Sequence, residues 1–95
     1  MLIGVPKEIK TREYRVGLVP ASVAELTHCG HRVMVETGAG VGIGADDTEY
    51  ESVGATIVPS ASDIFAKAQM IVKVKEPQPT EWIQLSESHL SLIHI

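Results

Sequence analysis

Short apolar runs recur along the chain, and the stretches between them carry helical spacing or turn residues. Residues 1–5 are apolar and closed by Pro6, which cannot extend a hydrogen-bonded ladder, so a buried strand is predicted there. A polar segment over residues 7–17 follows, with Lys7, Glu8, Lys10, Arg12, Glu13 and Arg15. It is long for a strand-to-helix connection, and loops of this kind tend to carry function. Pro20 then stands at a first helical position, Val19, Val23 and Leu26 recur at helical spacing, and Gly30 stands where a helix would stop, which predicts a helix over 20–29. Residues 31–36 are near-continuously apolar around Val33, Met34 and Val35, as a strand covered on both faces would be. Gly38, Gly40, Gly42 and Gly44 predict a flexible loop, and Asp46-Asp47-Thr48-Glu49 opens a brief helix whose dipole it complements, with Gly54 as its stop. Residues 56–58 form a third strand. Ser60 with Asp63 resembles a capping box for a helix over 61–68, and residues 70–74 form a fourth strand. Glu76-Pro77-Gln78-Pro79 breaks the pattern, residues 81–86 allow a turn or two of helix, and residues 90–95 read as a fifth strand.

Strands that alternate with short helices point to βαβ units, because parallel strands need crossovers and helices supply them. The expected fold class is α/β, an open, mostly parallel sheet with flanking short helices. At 95 residues one modest core is the ceiling, and 44% hydrophobic with 21% charged residues excludes both a disordered tail and a membrane protein. The net charge of −4 is spread along the chain without a run of Lys or Arg, which excludes a nucleic-acid partner. Cys29 is the sole cysteine, so no internal disulfide exists and a reducing compartment fits. The opening residues lack a signal h-region and no apolar run reaches the ~20 residues that span a bilayer, so a cytoplasmic location is expected.

In open α/β sheets, ligands gather at the carboxyl ends of the strands. Arg15 lies in the loop after the first strand, and Lys73 and Lys75 end the fourth, two residues apart and so on one face. They could form an anion pocket for a small carboxylate, with a bidentate Arg and a point-charge Lys; on spacing alone, solvated surface cations are the favoured reading. Gly40-Val41-Gly42-Ile43-Gly44-Ala45 fits a permissive dinucleotide fingerprint. Asp46 and Asp47 would repel a pyrophosphate at the next helix, and no acidic residue ends the strand at Val58 to hold a ribose, so a structural turn is the better reading. His28-Cys29-Gly30-His31 lies at a helix end where a His complements the dipole, and no metal site is assigned. No serine stands in a nucleophile-elbow setting.

Four collinear strings carry more information than periodicity. Met1-Leu2-Ile3-Gly4-Val5-Pro6-Lys7-Glu8-Ile9-Lys10, Glu13-Tyr14-Arg15-Val16-Gly17-Leu18-Val19-Pro20, Val35-Glu36-Thr37-Gly38-Ala39-Gly40 and Val72-Lys73-Val74-Lys75-Glu76-Pro77 together resemble the alanine dehydrogenase N-terminal domain. The resemblance implies a Rossmann-like substrate domain, incomplete here, with residues 1–89 as its N-terminal part and the NAD-binding domain absent. It implies a parent enzyme that interconverts L-alanine with pyruvate and ammonia using NAD, binds substrate between two domains and forms a homo-oligomer. Arg15 and Lys75 match the family's pyruvate-binding cations, whereas Lys73 gains no such support. The family's catalytic histidine would fall one residue beyond Ile95, and His94 is out of register. No catalytic residue is therefore assigned, and the chain alone is expected to be inactive and to bind no cofactor. Leu90-Ser91-Leu92-Ile93-His94-Ile95 departs from the family's text and is expected to be a non-native tail. A rival resemblance is to the N-terminal domain of a proton-translocating transhydrogenase α subunit, in which Asn-Ala-Pro typically replaces Lys75-Glu76-Pro77; a saccharopine-type dehydrogenase is more distant. A non-catalytic module that holds a small carboxylate is the alternative from another class.

Overall fold

The computed structural model describes residues 1–9 and 14–74 and the backbone of 91–94. Strands β1 (Leu2–Val5), β2 (Arg32–Glu36), β3 (Thr56–Val58), β4 (Met70–Lys73) and β5 (Ser91–His94) form one sheet in the order β3-β2-β1-β4-β5. All four pairings are parallel, so every connection must cross over rather than turn back. Helices α1 (Pro20–His28), α2 (Asp47–Ser52) and α3 (Ala61–Lys67) make the first three crossovers. The helical turns expected at 81–86 lie outside the described residues.

Side-chain alternation along β1 assigns the two faces. Ile3 and Val5 join a core with Val23 of α1, Tyr50 of α2 and Val33 and Val35 of β2. Leu2 packs on the other face against a second core of Met34, Ile64, Phe65, Ala68 and Ile71, which α3 covers. Both faces of the central strands are thus buried, which is why their residues read as continuous apolar runs rather than alternating ones. The direction of chain travel explains the split. From β1 to β3 the chain moves one way across the sheet and keeps α1 and α2 on one face; it then returns past β1 to β4, which puts α3 on the other.

Local chemistry differs from expectation in two places. The glycine loop contains a single 3₁₀ turn, Val41–Ile43, because Ile43 and Gly44 amides donate back to the Gly40 and Val41 carbonyls. At the start of α3, Ser60 caps by position, but its hydroxyl donates to the Asp63 carboxylate at 3.2 Å and not through the reciprocal backbone bonds of a capping box. The cap of α2 is conventional, with Asp46 accepting from the Glu49 amide at 2.9 Å.

Tyr50 is the largest fully buried side chain among the described residues, and its hydroxyl donates to the Leu18 carbonyl at 2.8 Å. Burial, with a smaller contribution from the charge of Glu49, pushes its pKa up to about 12 from 10.0. The neutral form is the one favoured in the fold, so its contribution is complete below pH 10.0 and is lost as pH rises through about 12. Tyr50→Phe is expected to cost about 1 kcal/mol at neutral pH by leaving the Leu18 carbonyl without its donor. It should also lose less stability across that alkaline window than the parent chain, as thermal melts at a series of pH values would show.

Candidate functional site

The strand order reverses between β1 and β4, and such a switch point is where open α/β sheets leave a crevice. Backbone pairing bears this out. The β1–β2 ladder runs as far as Val5↔Val35, whereas the β1–β4 ladder ends at Gly4↔Ile71, so the strands part earlier on the β4 side.

A cavity of about 230 Å³ opens at this carboxyl end of the sheet. Lys7, Glu8, Tyr14 and Arg15 line it from the segment after β1, and Gly38, Ala39, Val41 and Gly42 from the loop after β2. Two close approaches shape it. A side chain at Gly42 would run into the Tyr14 carbonyl, so the glycine lets the two loops touch. A side chain at Gly17 would likewise collide with the Val72 carbonyl, so glycine lets the segment carrying Arg15 lie directly on the end of β4. The next residue, Leu18, is held by Tyr50, and the Lys7 amide donates to the Glu36 carboxylate at 2.8 Å. The connection is long in sequence but anchored at both ends.

Of the sequence-predicted cations, Arg15 stands in this cavity, and Lys7 joins it there. Lys75 lies outside the described residues. Lys73 neither lines the cavity nor meets solvent. It is 0% exposed, and its ammonium contacts Glu8 Oε1 at 3.0 Å. The other carboxylate oxygen of Glu8 accepts from the Val74 amide at 3.1 Å. Sequence reasoning missed Lys7 and Glu8 as site residues. The signal for Glu8 was available, since a Lys inside an otherwise apolar strand demands a buried counter-charge, and the polar segment after β1 is the nearest source.

The glycine loop is largely closed on itself. Amides of Gly38, Ala39, Val41, Ile43, Gly44 and Ala45 already donate to carbonyls of the loop and of Glu36 or to Asp47, so these six are not turned toward a pyrophosphate. Asp47 accepts from the Thr37 hydroxyl and from the Gly38 amide at 2.9 Å, and these bonds, the hydroxyl first, hold its pKa below the ordinary 3.8. That carboxylate supports the turn at pH values above 3.8 and ceases to as pH falls through its lowered pKa. His28 and Cys29 end α1, and His31 Nδ1 lies 3.4 Å from the Met1 amine. Among the described residues no group of three or more His, Cys, Asp or Glu side chains could hold a metal ion, and no helix is long and apolar enough to cross a membrane.

Residues 4–95 match the family described as alanine dehydrogenase/PNT, N-terminal domain. The chain belongs to this family. It is 52% identical over 83 residues to the alanine dehydrogenase of Bacillus subtilis, covering 87% of the chain and 22% of that protein. To the alanine dehydrogenase of Methanococcus maripaludis it is 44% identical over its full 95 residues, 26% of that protein. Among solved structures, an L-alanine dehydrogenase superposes with a TM-score of 0.87 at 52% identity over 90% of the chain and 24% of the other. The transhydrogenase of Sinorhizobium meliloti gives the same TM-score at 33% identity, over 96% of the chain and 26% of the other. Backbone shape therefore does not separate the two kinds of relative, while sequence identity favours alanine dehydrogenase. The chain spans about a quarter of the length of the relatives it matches.

Proposed function

We propose that residues 1–89 are the N-terminal part of the substrate domain of an L-alanine dehydrogenase, and that their role is to hold the substrate carboxylate. The overall reaction is L-alanine + NAD⁺ + H₂O → pyruvate + NH₄⁺ + NADH + H⁺. The observation that carries this reading is the placement of Arg15 in a cavity at the switch point of a sheet that shares 52% identity with an L-alanine dehydrogenase. A guanidinium there can grip a carboxylate through two parallel hydrogen bonds, and Lys7 adds positive potential from the same side. Lys75 is the proposed second cation, on the strength of the match between Val72-Lys73-Val74-Lys75-Glu76-Pro77 and the family's text. Pyruvate and L-alanine share the carboxylate and differ at the adjacent carbon, so these cations orient both directions of the reaction equally.

NAD would bind to parts of the enzyme beyond these 95 residues, since the glycine loop does not fit it. The enzyme would work in the cytoplasm as a homo-oligomer. Residues 90–95 are read as a tail not native to the family.

The test compares the chain with the full-length protein that carries it. The full-length protein is expected to oxidise NADH only when both pyruvate and ammonia are present, and the 95-residue chain to show no turnover. Hydride exchange between nicotinamide nucleotides without pyruvate would instead identify the transhydrogenase reading. Tight pyruvate binding by the chain alone in a calorimetric titration would favour a self-sufficient carboxylate-binding module.

A further inference from the structure

Glu8 and Lys73 are separated by 65 positions in sequence and meet at the point where β1 and β4 stop pairing. Their side chains are 2% and 1% exposed, so neither charge is solvated. Replacing a buried ion pair by apolar side chains of similar volume is often neutral or stabilising, and such a pair is therefore weak evidence for a contribution to stability. Its geometry points elsewhere. Beyond Gly4↔Ile71 the ladder between β1 and β4 is open, and the Val74 amide is left without a strand partner on that side. Glu8 Oε2 takes that amide, while Oε1 takes the Lys73 ammonium from the preceding residue. One carboxylate thus substitutes for the missing rungs and fixes two consecutive residues of the β4 end.

The root of the Glu8 segment is itself fixed to the far side of β1 through the Lys7 amide and Glu36. Two hydrogen bonds joined through the covalent Lys7–Glu8 link therefore tie Glu36 at the end of β2 to Val74 at the end of β4. Charge matters as well as position. Glu8 lines the same cavity as Arg15 and Lys7, and an uncompensated carboxylate there would repel a second one. The Lys73 ammonium compensates it without entering the cavity.

We propose that the Glu8–Lys73 pair is a positioning device for the carboxylate site. Glu8 sets the distance between the Arg15 segment and the end of β4, and Lys73 keeps Glu8 from opposing the bound anion. The role assigned to both is to position the site rather than to grip the substrate. This rests on the reading of the cavity as the substrate carboxylate site.

The full-length protein carrying this chain supplies the test, with KM for pyruvate, KM for NADH and kcat measured well below the unfolding midpoint of each variant. Glu8→Asp keeps the charge but withdraws the carboxylate by one methylene, so it cannot reach both Lys73 and Val74. It is expected to raise KM for pyruvate on the order of tenfold, because site geometry shifted by an ångström is sufficient for effects of that size or more. KM for NADH should hold. Lys73→Arg is expected to retain a KM for pyruvate near the parent value and Lys73→Gln to raise it. A folded Glu8→Asp protein with unchanged KM for pyruvate would overturn the proposal and leave the pair purely structural. If Glu8→Asp does not fold, Lys73→Gln decides the matter in the same way. Absence of pyruvate-dependent turnover in the parent protein would instead remove the underlying functional reading, and the positioning role with it.

Discussion

Arg15→Ala is expected to lower kcat/KM for pyruvate by about a hundredfold in the full-length protein carrying this chain, if the cavity is the carboxylate site proposed above. That corresponds to roughly 2.8 kcal/mol at 1.4 kcal/mol per factor of ten, a reasonable loss for one bidentate, charge-assisted contact. Arg15 stands in the cavity with Lys7, so some positive potential survives its removal and the effect should stop short of abolishing turnover. Arg15→Lys should fall between the two, since an ammonium keeps the charge but loses the planar fork. Initial-rate measurements against pyruvate at saturating ammonia and NADH provide the values. Parent-like kcat/KM in Arg15→Ala would mean that the carboxylate is held elsewhere.

Lys73→Met is expected to have the largest effect on stability, lowering the unfolding free energy by about 3–5 kcal/mol. The change removes one partner of a buried pair and leaves the Glu8 carboxylate buried without the Lys73 ammonium. For a domain whose total stability is of order 5–15 kcal/mol, this is a large share. Adding Glu8→Gln to Lys73→Met should recover most of the loss, because the amide oxygen can still accept from Val74 and no charge remains buried. Urea unfolding of the parent, both single variants and the double variant closes the cycle, and additive losses would show that the two side chains do not interact energetically. Stability and affinity are thereby expected to separate, with the double variant refolded yet altered in its grip on pyruvate.

The elements were legible because each strand is an apolar run ended by a breaker. Thr56–Val58 matches its expected bounds, and α1 ends one residue before the expected limit, with Gly30 at positive φ beyond it. Both predicted glycine stops, Gly30 and Gly54, have that conformation. The 3₁₀ turn at Val41–Ile43 was hidden because composition reports how free a glycine segment is, not which carbonyls its amides will find. Strand order is also absent from hydrophobic periodicity, and with it the switch point that makes the Arg15 loop and the β4 end neighbours. The candidate site was partly legible. Loop length and strand-end position single out Arg15, which lines the cavity, whereas Lys73 groups with it by spacing, which cannot tell a solvated ammonium from one turned toward a buried carboxylate. Lys75, chosen on resemblance, lies outside the described residues.

The placement of β1 also has a consequence in time. β1 is the centre of the sheet, and its neighbour on one side, β4, is completed only at Lys73, long after β1 in the chain. Contacts across so many residues form slowly, because the entropy of closing the intervening chain must be overcome before they contribute. Until then β1 has an unpaired flank and the Glu8 carboxylate has yet to meet the Lys73 ammonium. Anion affinity should consequently emerge late in refolding, after most helix signal has returned, and a labelled carboxylate ligand would serve as a clock for the closing of the sheet.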